Sequence, residues 1–234
     1  MSSYTLTVVD ASAIQDYIFG SNHLKQIVGA SYLVECAIRK WVASFLPGPN
    51  NIINIENDDF TEQSIEKDGL QAEVVYVGGG NAVIIFAGRE EAVIFARRLS
   101  RKVLEEASGL QIMIAHQNFD WDAESLNDVL ARVQQRLAEK KANPPPSSPL
   151  LGLGVTAGCV FTGLPAVGSI QEDHPEGRLI SRECMAKLAA FKDAEERLTR
   201  YLDLGEYKTV TNFDDIGTKG EKSYLALVHT DGNG

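Results

Sequence analysis

Long apolar runs are missing from this 234-residue chain. None reaches the roughly 20 residues that cross a bilayer. The N-terminus has no charged segment followed by a hydrophobic one, so neither a membrane span nor a secretory signal is expected. Cysteine is scarce: Cys36, Cys159 and Cys184 are odd in number and far apart, which argues against a disulfide framework and for a reducing cytoplasm. Positive charge is short as well, with 22 Lys and Arg against 32 Asp and Glu and a formal charge of −10. A general binder of nucleic-acid backbone must be net basic where it touches, so that class is disfavoured. The basic strip Arg97, Arg98, Arg101 and Lys102 reads as the solvated face of a helix. There is no nucleophile elbow and no Walker loop. Gly152-Leu-Gly154-Val-Thr-Ala-Gly158 has its last glycine one residue late for a dinucleotide fingerprint, and no βαβ unit surrounds it. His23, His116, His174 and His229 are scattered and read as surface or packing residues.

What the chain does have is a core's worth of apolar residues, 44% of the total, and one stretch that organises the rest. Gln71 to Ala87, QAEVVYVGGGNAVIIFA, reads as strand, tight turn, strand. Ala72 to Val77 and Ala82 to Ala87 are rich in residues that suit a pleated, half-buried surface. Between them Gly78, Gly79, Gly80 and Asn81 tolerate the positive φ of a primed hairpin turn. The second strand is apolar at every position, which predicts a central strand covered on both faces. Three glycines exceed what a hairpin needs and leave bare backbone where a phosphate or base can approach. Taken alone, the stretch reads first as an ordinary glycine-rich turn, since short motifs often match by chance.

Before the hairpin, Tyr4 to Val9 is a strand with Leu6 and Val8 on one face and Thr5, Thr7 and Val9 on the other. It ends on Asp10, and a short helix follows with Ser12 or Asp10 as N-cap. A long helix from about His23 to Phe45 shows a stripe of Leu24, Ile27, Val28, Ser31, Val34, Ile38, Trp41, Val42 and Phe45. After the hairpin, Arg89 to Ala107 is helical and Leu110 to Ala115 is a strand. The order predicts an α+β fold: a ferredoxin-like palm, an antiparallel sheet with helices on one face. The other face is then free to carry a site, with Asp10 and the glycine turn at one edge.

Residues 1–142 therefore form the palm-like domain, ending in an amphipathic helix over Asp122 to Lys141 marked by Leu126, Val129, Leu130, Val133 and Leu137. Asn143 to Pro149 is a Pro-rich linker at 143–149. Residues 150–223 are a mainly helical region, with Ser181 capping a helix that carries Cys184, Leu188, Phe191, Leu198 and Leu202. Tyr224 to Gly234 repeats the opening, a strand starting at Tyr and ending in Asp. Residues 224–234 thus read as the first strand of a truncated second palm, and the chain as a fragment.

Three ordered motifs resemble one family. Asp10-Ala-Ser-Ala-Ile-Gln-Asp-Tyr-Ile-Phe19, Gly29-Ala-Ser-Tyr-Leu-Val34 and Tyr76-Val-Gly-Gly-Gly-Asn-Ala-Val-Ile-Ile-Phe86 look like the first, N-terminal palm of the large polymerase-like subunit of type III CRISPR effectors and its stand-alone relatives. That family is distantly similar to GGDEF diguanylate cyclases and class III nucleotidyl cyclases. The resemblance covers the first half, and Tyr224 to Gly234 matches the opening of the second palm. It implies two palms face to face, ATP with Mg2+ or Mn2+ between them, and synthesis of cyclic oligoadenylates in antiviral defence. The nucleotide-binding residues it implies are Asp10, Ser12, Gly78, Gly79, Gly80 and Asn81; Asp10 and Asp231 are its metal ligands.

The departures are specific. The family's catalytic palm has GGDD in its hairpin, and the matching positions here are Gly80 and Asn81. Nucleotidyl transfer needs carboxylates to hold its cations, so no catalytic residue is assigned and this palm is expected to bind nucleotide without turnover. The nuclease domain that often precedes the palms is not expected, since no His-Asp doublet occurs. The family's zinc site uses two cysteine pairs; Cys159-Val-Phe-Thr162-Gly163 keeps that frame with Thr162 at the second cysteine. Zinc wants four ligands, and no zinc is expected. The expected partners are a nucleoside triphosphate and a second palm, in the same chain or in a partner subunit. A non-catalytic scaffold or interaction module is the alternative, and residues beyond Gly234 carrying a second, acidic hairpin would separate the two.

Overall fold

The structure, a computed structural model, describes residues 3–143, 154–171, 177–201, 205 and 209–210. The chain runs β1 (Ser3–Ser12), α1 (Ile14–Phe19), α2 (Leu24–Glu35) continuing through a π turn (Cys36–Lys40) into α3 (Trp41–Phe45), then β2 (Ile52–Asn54), β3 (Asp59–Phe60) and α4 (Ile65–Asp68). It continues with β4 (Ala72–Gly78), β5 (Asn81–Phe86), α5 (Arg89–Glu106), β6 (Gln111–Asp120), α6 (Leu126–Ala142), β7 (Gly168–Ile170), β8 (Arg178–Ile180) and α7 (Arg182–Tyr201). No helix among the described residues is long and apolar enough to cross a membrane.

The sheet order is β4-β5-β1-β6, antiparallel throughout. This is the expected ferredoxin-like α+β arrangement. β1 is longer than its apolar run and pairs over its whole length with β6, from Ser3 opposite Asp120 to Ser12 opposite Gln111. The polar tail His116 to Asp120 joins the strand because Thr5 and Thr7 need partners on that side. Both threonines are fully buried; Thr5 Oγ1 donates to Asn118 Oδ1 at 3.1 Å, and Thr7 Oγ1 lies 2.8 Å from His116 Nδ1. A buried hydroxyl left unpaired costs about 1–3 kcal/mol, so these two pairs also pin the register.

β1 divides the interior into two cores. Val9 and Ala11, with Ala82, Ile84 and Phe86 of β5, pack against α2, α3 and α5. Leu6 and Val8, with Ile85 of β5, pack against Val129, Val133 and Leu137 of α6. The second face is therefore not free, as the strand and helix order had implied: the apolar stripe of α6 is seated on it. The Arg97–Lys102 strip does lie on the solvated side of α5, where Arg101 and Lys102 pair with Glu105 and Glu106.

α7 crosses α2 at Gly29, and the crossing corrects two expected stripes. A Cβ at Gly29 would lie 1.9 Å from the Lys187 carbonyl oxygen, so backbone meets backbone there. α2 consequently buries Gln26, Gly29, Ala30 and Leu33 beside the expected Val34 and leaves Ser31 exposed, while Ile38, Trp41 and Val42 beyond it are buried as expected. α7 buries Cys184, Lys187, Ala190 and Ala194, whereas Leu198 is 45% exposed. The buried Lys187 ammonium reaches the Tyr17 carbonyl and Glu183 Oε1, each at 2.5 Å, and lies 4.2 Å from the centre of the Tyr17 ring. Burial, with Glu183 adding to it, pushes the Tyr17 phenol well above its ordinary range, so that ring is a neutral platform.

Gly29→Ala is expected to lower stability by about 1–3 kcal/mol, the usual range for overpacking. Urea denaturation measures the loss, and limited proteolysis should show α7 cut first. A second expectation concerns pH. Burial, helped by the Arg89 and Lys140 charges, brings the His116 pKa down from 6.5 to about 4. The folded value lies below the unfolded one, so the neutral ring's contribution is complete above pH 6.5, falls away between 6.5 and about 4, and is level below that. The loss is at most roughly 3 kcal/mol. Urea midpoints should follow this course in the wild type, and His116→Gln should flatten it.

Candidate functional site

The β4–β5 turn is a two-residue loop. Gly78 pairs with Asn81 across the ladder, and Gly79 and Gly80 have φ of 58° and 88°, the left-handed pair that a type I′ turn requires. Gly80 has a further reason to be glycine. Its carbonyl accepts the Ala11 N–H at 2.8 Å, and a Cβ would lie 2.5 Å from Ile14 Cδ1. The turn is thus pressed onto the start of α1. At Gly79 the nearest neighbour of a Cβ would be the Tyr76 hydroxyl, 3.5 Å away, so Tyr76 partly roofs the turn.

β4 carries a bulge at Val75: Val74 faces Ile84 while Tyr76 faces Val83. An extra residue re-aims the side chains that follow it. Tyr76, 52% exposed, stands with Val83, Asn81 and Asp10 over the sheet face that α6 covers incompletely. Between them runs a cleft of about 480 Å³, closed on the helix side by Gln134, Leu137 and Lys141. That volume lies in the range of small-molecule sites.

Asp10 sits opposite Asn81 in register and faces this cleft. Its Oδ2 accepts the Lys141 ammonium at 2.6 Å and the Ser12 hydroxyl at 3.1 Å. Neither Asp10 nor Ser12 caps α1. β1 runs through both, and the N-cap is Ala13 in a left-handed conformation with no side-chain cap. The cap is absent because alanine has no hydrogen-bonding side chain, and the Ser12 hydroxyl before it donates to Asp10 instead. Ser12, Asp10, Asn81 and the glycine turn therefore share one edge of the sheet. Asp231 lies outside the described residues, as do Pro144 to Pro149, the whole of Tyr224 to Gly234, His174 and His229. Among the described residues no three His, Cys, Asp or Glu side chains gather as a metal site. One carboxylate already holding a lysine does not fit a two-cation centre.

Tyr76 opens the third motif but was not assigned to the site, and Gln134 and Lys141 belong to no motif. The signal for the last two was positional: they fall four residues after Leu130 and Leu137, as polar members of the stripe that faces the sheet.

Cys159 and Cys184 approach to 3.6 Å between sulfurs, and among the described residues their hydroxyl neighbours are Thr162 and Ser181, 3.4 Å apart. Two thiols and two neutral hydroxyls are not the four-ligand set that structural zinc takes. Ser181 does cap α7, accepting the Cys184 N–H at 3.3 Å.

No family model matches the chain, and no curated protein matches it. Solved structures do. Csm1 of T. onnurineus is 14% identical over 62% of this chain and 20% of its own length, with a TM-score of 0.45. The Csm1–Csm4 subcomplex of the type III-A CRISPR–Csm interference complex gives 14% identity over 85% of this chain and 24% of that chain, with a TM-score of 0.46. A Csm1–Csm4 cassette in complex with cA3 gives 14% identity, 67% and 21% coverage, and a TM-score of 0.46. The chain spans about a fifth to a quarter of the length of these proteins.

Proposed function

We propose that this chain is the nucleotide-holding, non-catalytic palm of a two-palm protein similar to the cyclic-oligonucleotide synthases of prokaryotic antiviral defence. The observation that carries the reading is the cleft between the β4-β5-β1 face and α6. A lysine, a lone carboxylate and a glycine turn meet at its edge, and a neutral Asn81 stands where a second acid would be.

The parts suit a nucleoside triphosphate. The turn leaves the Gly79 and Gly80 amides outside the strand ladder, donors of the kind that meet phosphate. Lys141 supplies a compact positive charge, and its 45% exposure lets it swing from Asp10 to an incoming anion. The exposed Tyr76 ring offers a face for a base. Mg2+ or Mn2+ would arrive with the triphosphate and use Asp10 as its one carboxylate here. It would supply charge neutralisation, and most of its ligands would be phosphate oxygens and water. Phosphoryl transfer rests on positioned cations and an activated hydroxyl, and a single shared carboxylate does not provide them. Turnover is therefore assigned to a second palm, in a longer chain or in a partner subunit.

Isothermal titration with ATP and magnesium should detect weak binding, and a product assay on the same sample should detect no cyclic or linear oligonucleotide. Lys141→Ala should weaken ATP binding about tenfold while far-UV circular dichroism stays unchanged, because the side chain is half-exposed. With the metal chelated, Asp10→Asn should tighten binding severalfold by releasing Lys141 and removing a like charge beside the phosphates. Oligonucleotide synthesis by this chain would sink the non-catalytic assignment. No heat with ATP in either metal condition would favour a scaffold role.

A further inference from the structure

Residues 154–171 and 177–184 are built around two thiols. Cys159 opens a tight knuckle in which its N–H donates to the Leu164 carbonyl at 2.7 Å and the Gly163 N–H returns to the Cys159 carbonyl at 2.9 Å. Val160 N–H ties the knuckle to Leu179 of β8 at 3.0 Å. Cys184 lies in the first turn of α7, with Ile180, Phe161, Ile170 and Leu188 packed around the pair. The sulfurs are 3.6 Å apart, and their polar neighbours are the neutral hydroxyls of Thr162 and Ser181. Among the described residues no cluster of three metal-binding side chains includes the pair, and a dithiol held this close has one short covalent step open to it.

We propose that Cys159 and Cys184 are a reversible disulfide site, with Cys159 the sulfur attacked first and hydrogen peroxide, or a peroxide of that size, the oxidant. The Cys159 thiolate attacks one peroxide oxygen. The O–O bond breaks, hydroxide leaves, and sulfur is oxidised to the sulfenic acid. The Cys184 sulfur then displaces that hydroxyl: the S–S bond forms, the S–O bond breaks, and the Cys184 proton leaves with the hydroxide as water. Two thiols and one peroxide become one disulfide and two waters. Peroxide is scarcely larger than water, which suits a shallow site: Cys159 is buried, but Val160 beside it is 58% exposed.

The two thiols are unequal in the sense this order needs. Burial pushes Cys159 up, but hydrogen bonds from the Thr162 hydroxyl and from the backbone N–H groups of Phe161, Ser181 and Thr162 outweigh it and bring the thiol down to about 6. Burial and the neighbouring Cys159 sulfur hold Cys184 above its ordinary value, which makes it the slower of the two to meet peroxide. Cys36 is buried in the palm with its pKa raised by burial and serves as the internal control. The bond would fasten the knuckle to the start of α7, the helix that crosses α2 at Gly29.

The test uses the full chain. Protein is treated with hydrogen peroxide, free thiols are alkylated, and the digest is mapped without reduction. The expected result is a Cys159–Cys184 cross-linked peptide that dithiothreitol removes, with Cys36 alkylated throughout. Cys159 should be consumed about tenfold faster than Cys36 at neutral pH. Cys184→Ser should stop the reaction at a Cys159 sulfenic acid that dimedone labels, and the wild-type map needs no variant to be read. The proposal is overturned if Cys159 and Cys184 remain free while Cys36 oxidises. It is equally overturned if the purified protein carries one equivalent of zinc that Cys159→Ser releases.

Discussion

β1 is paired along both edges and buried on both faces, and the other elements take their places from it. Its alternation sends Val9 and Ala11 into one core and Leu6 and Val8 into the other. Its hydrogen bonds set the registers of β5 and β6. A slip by one residue would exchange the two cores and expose the hydroxyls of Thr5 and Thr7 to apolar surroundings. That constraint delivers Asp10 to the site, since the register that pairs Thr7 with His116 also sets Asp10 opposite Asn81. The outer edge of β6 is closed by α6: Arg136 and Lys140 bond the carbonyls of His116 and Ile114 at 2.9 and 2.6 Å. Cationic side chains on an outer strand guard it against pairing with another chain.

The glycine turn is held from two directions. Gly80 accepts the Ala11 N–H and leaves room for Ile14. Three residues on, Tyr17 gives its carbonyl to the buried Lys187 of α7. A buried ammonium is tolerated when its charge and its donors are met, and Glu183, the Tyr17 carbonyl and the Tyr17 ring meet them. α7 is thereby coupled to α1 and, through Ile14, to the turn. The appendage is part of the palm's support rather than a separate ornament, which gives a covalent bond at its N-terminus a mechanical route toward the cleft.

At the cleft, Asp10 is charge-compensated by Lys141. The pair leaves the Lys141 ammonium, 45% exposed, with an anionic partner at rest; in the nucleotide-holding role proposed above it would trade that partner for a phosphate. The Val75 bulge adds the aromatic wall. Without it, the alternation of β4 would carry Tyr76 away from Val83 and Asn81.

Much of this was legible in the residues alone. The strand order, the primed turn, the central position of β5, the cap at Ser181 and the shared edge of Asp10 and the glycines follow from local chemistry: side-chain alternation, positive φ and hydrogen-bonding capacity act over a few residues. The expected stripes hold at Val34, Ile38, Trp41, Val42 and Cys184 and fail at Ser31 and Leu198, because which side of a helix is inside depends on what crosses it. At Gly29 the answer was another backbone, an approach that apolar periodicity cannot encode. The cover that α6 places over the second face, the meeting of Lys141 with Asp10 and the 3.6 Å approach of Cys159 to Cys184 belong to the tertiary structure for the same reason. Each joins residues separated by 25 to 131 positions, and such distances close only when the cores pack.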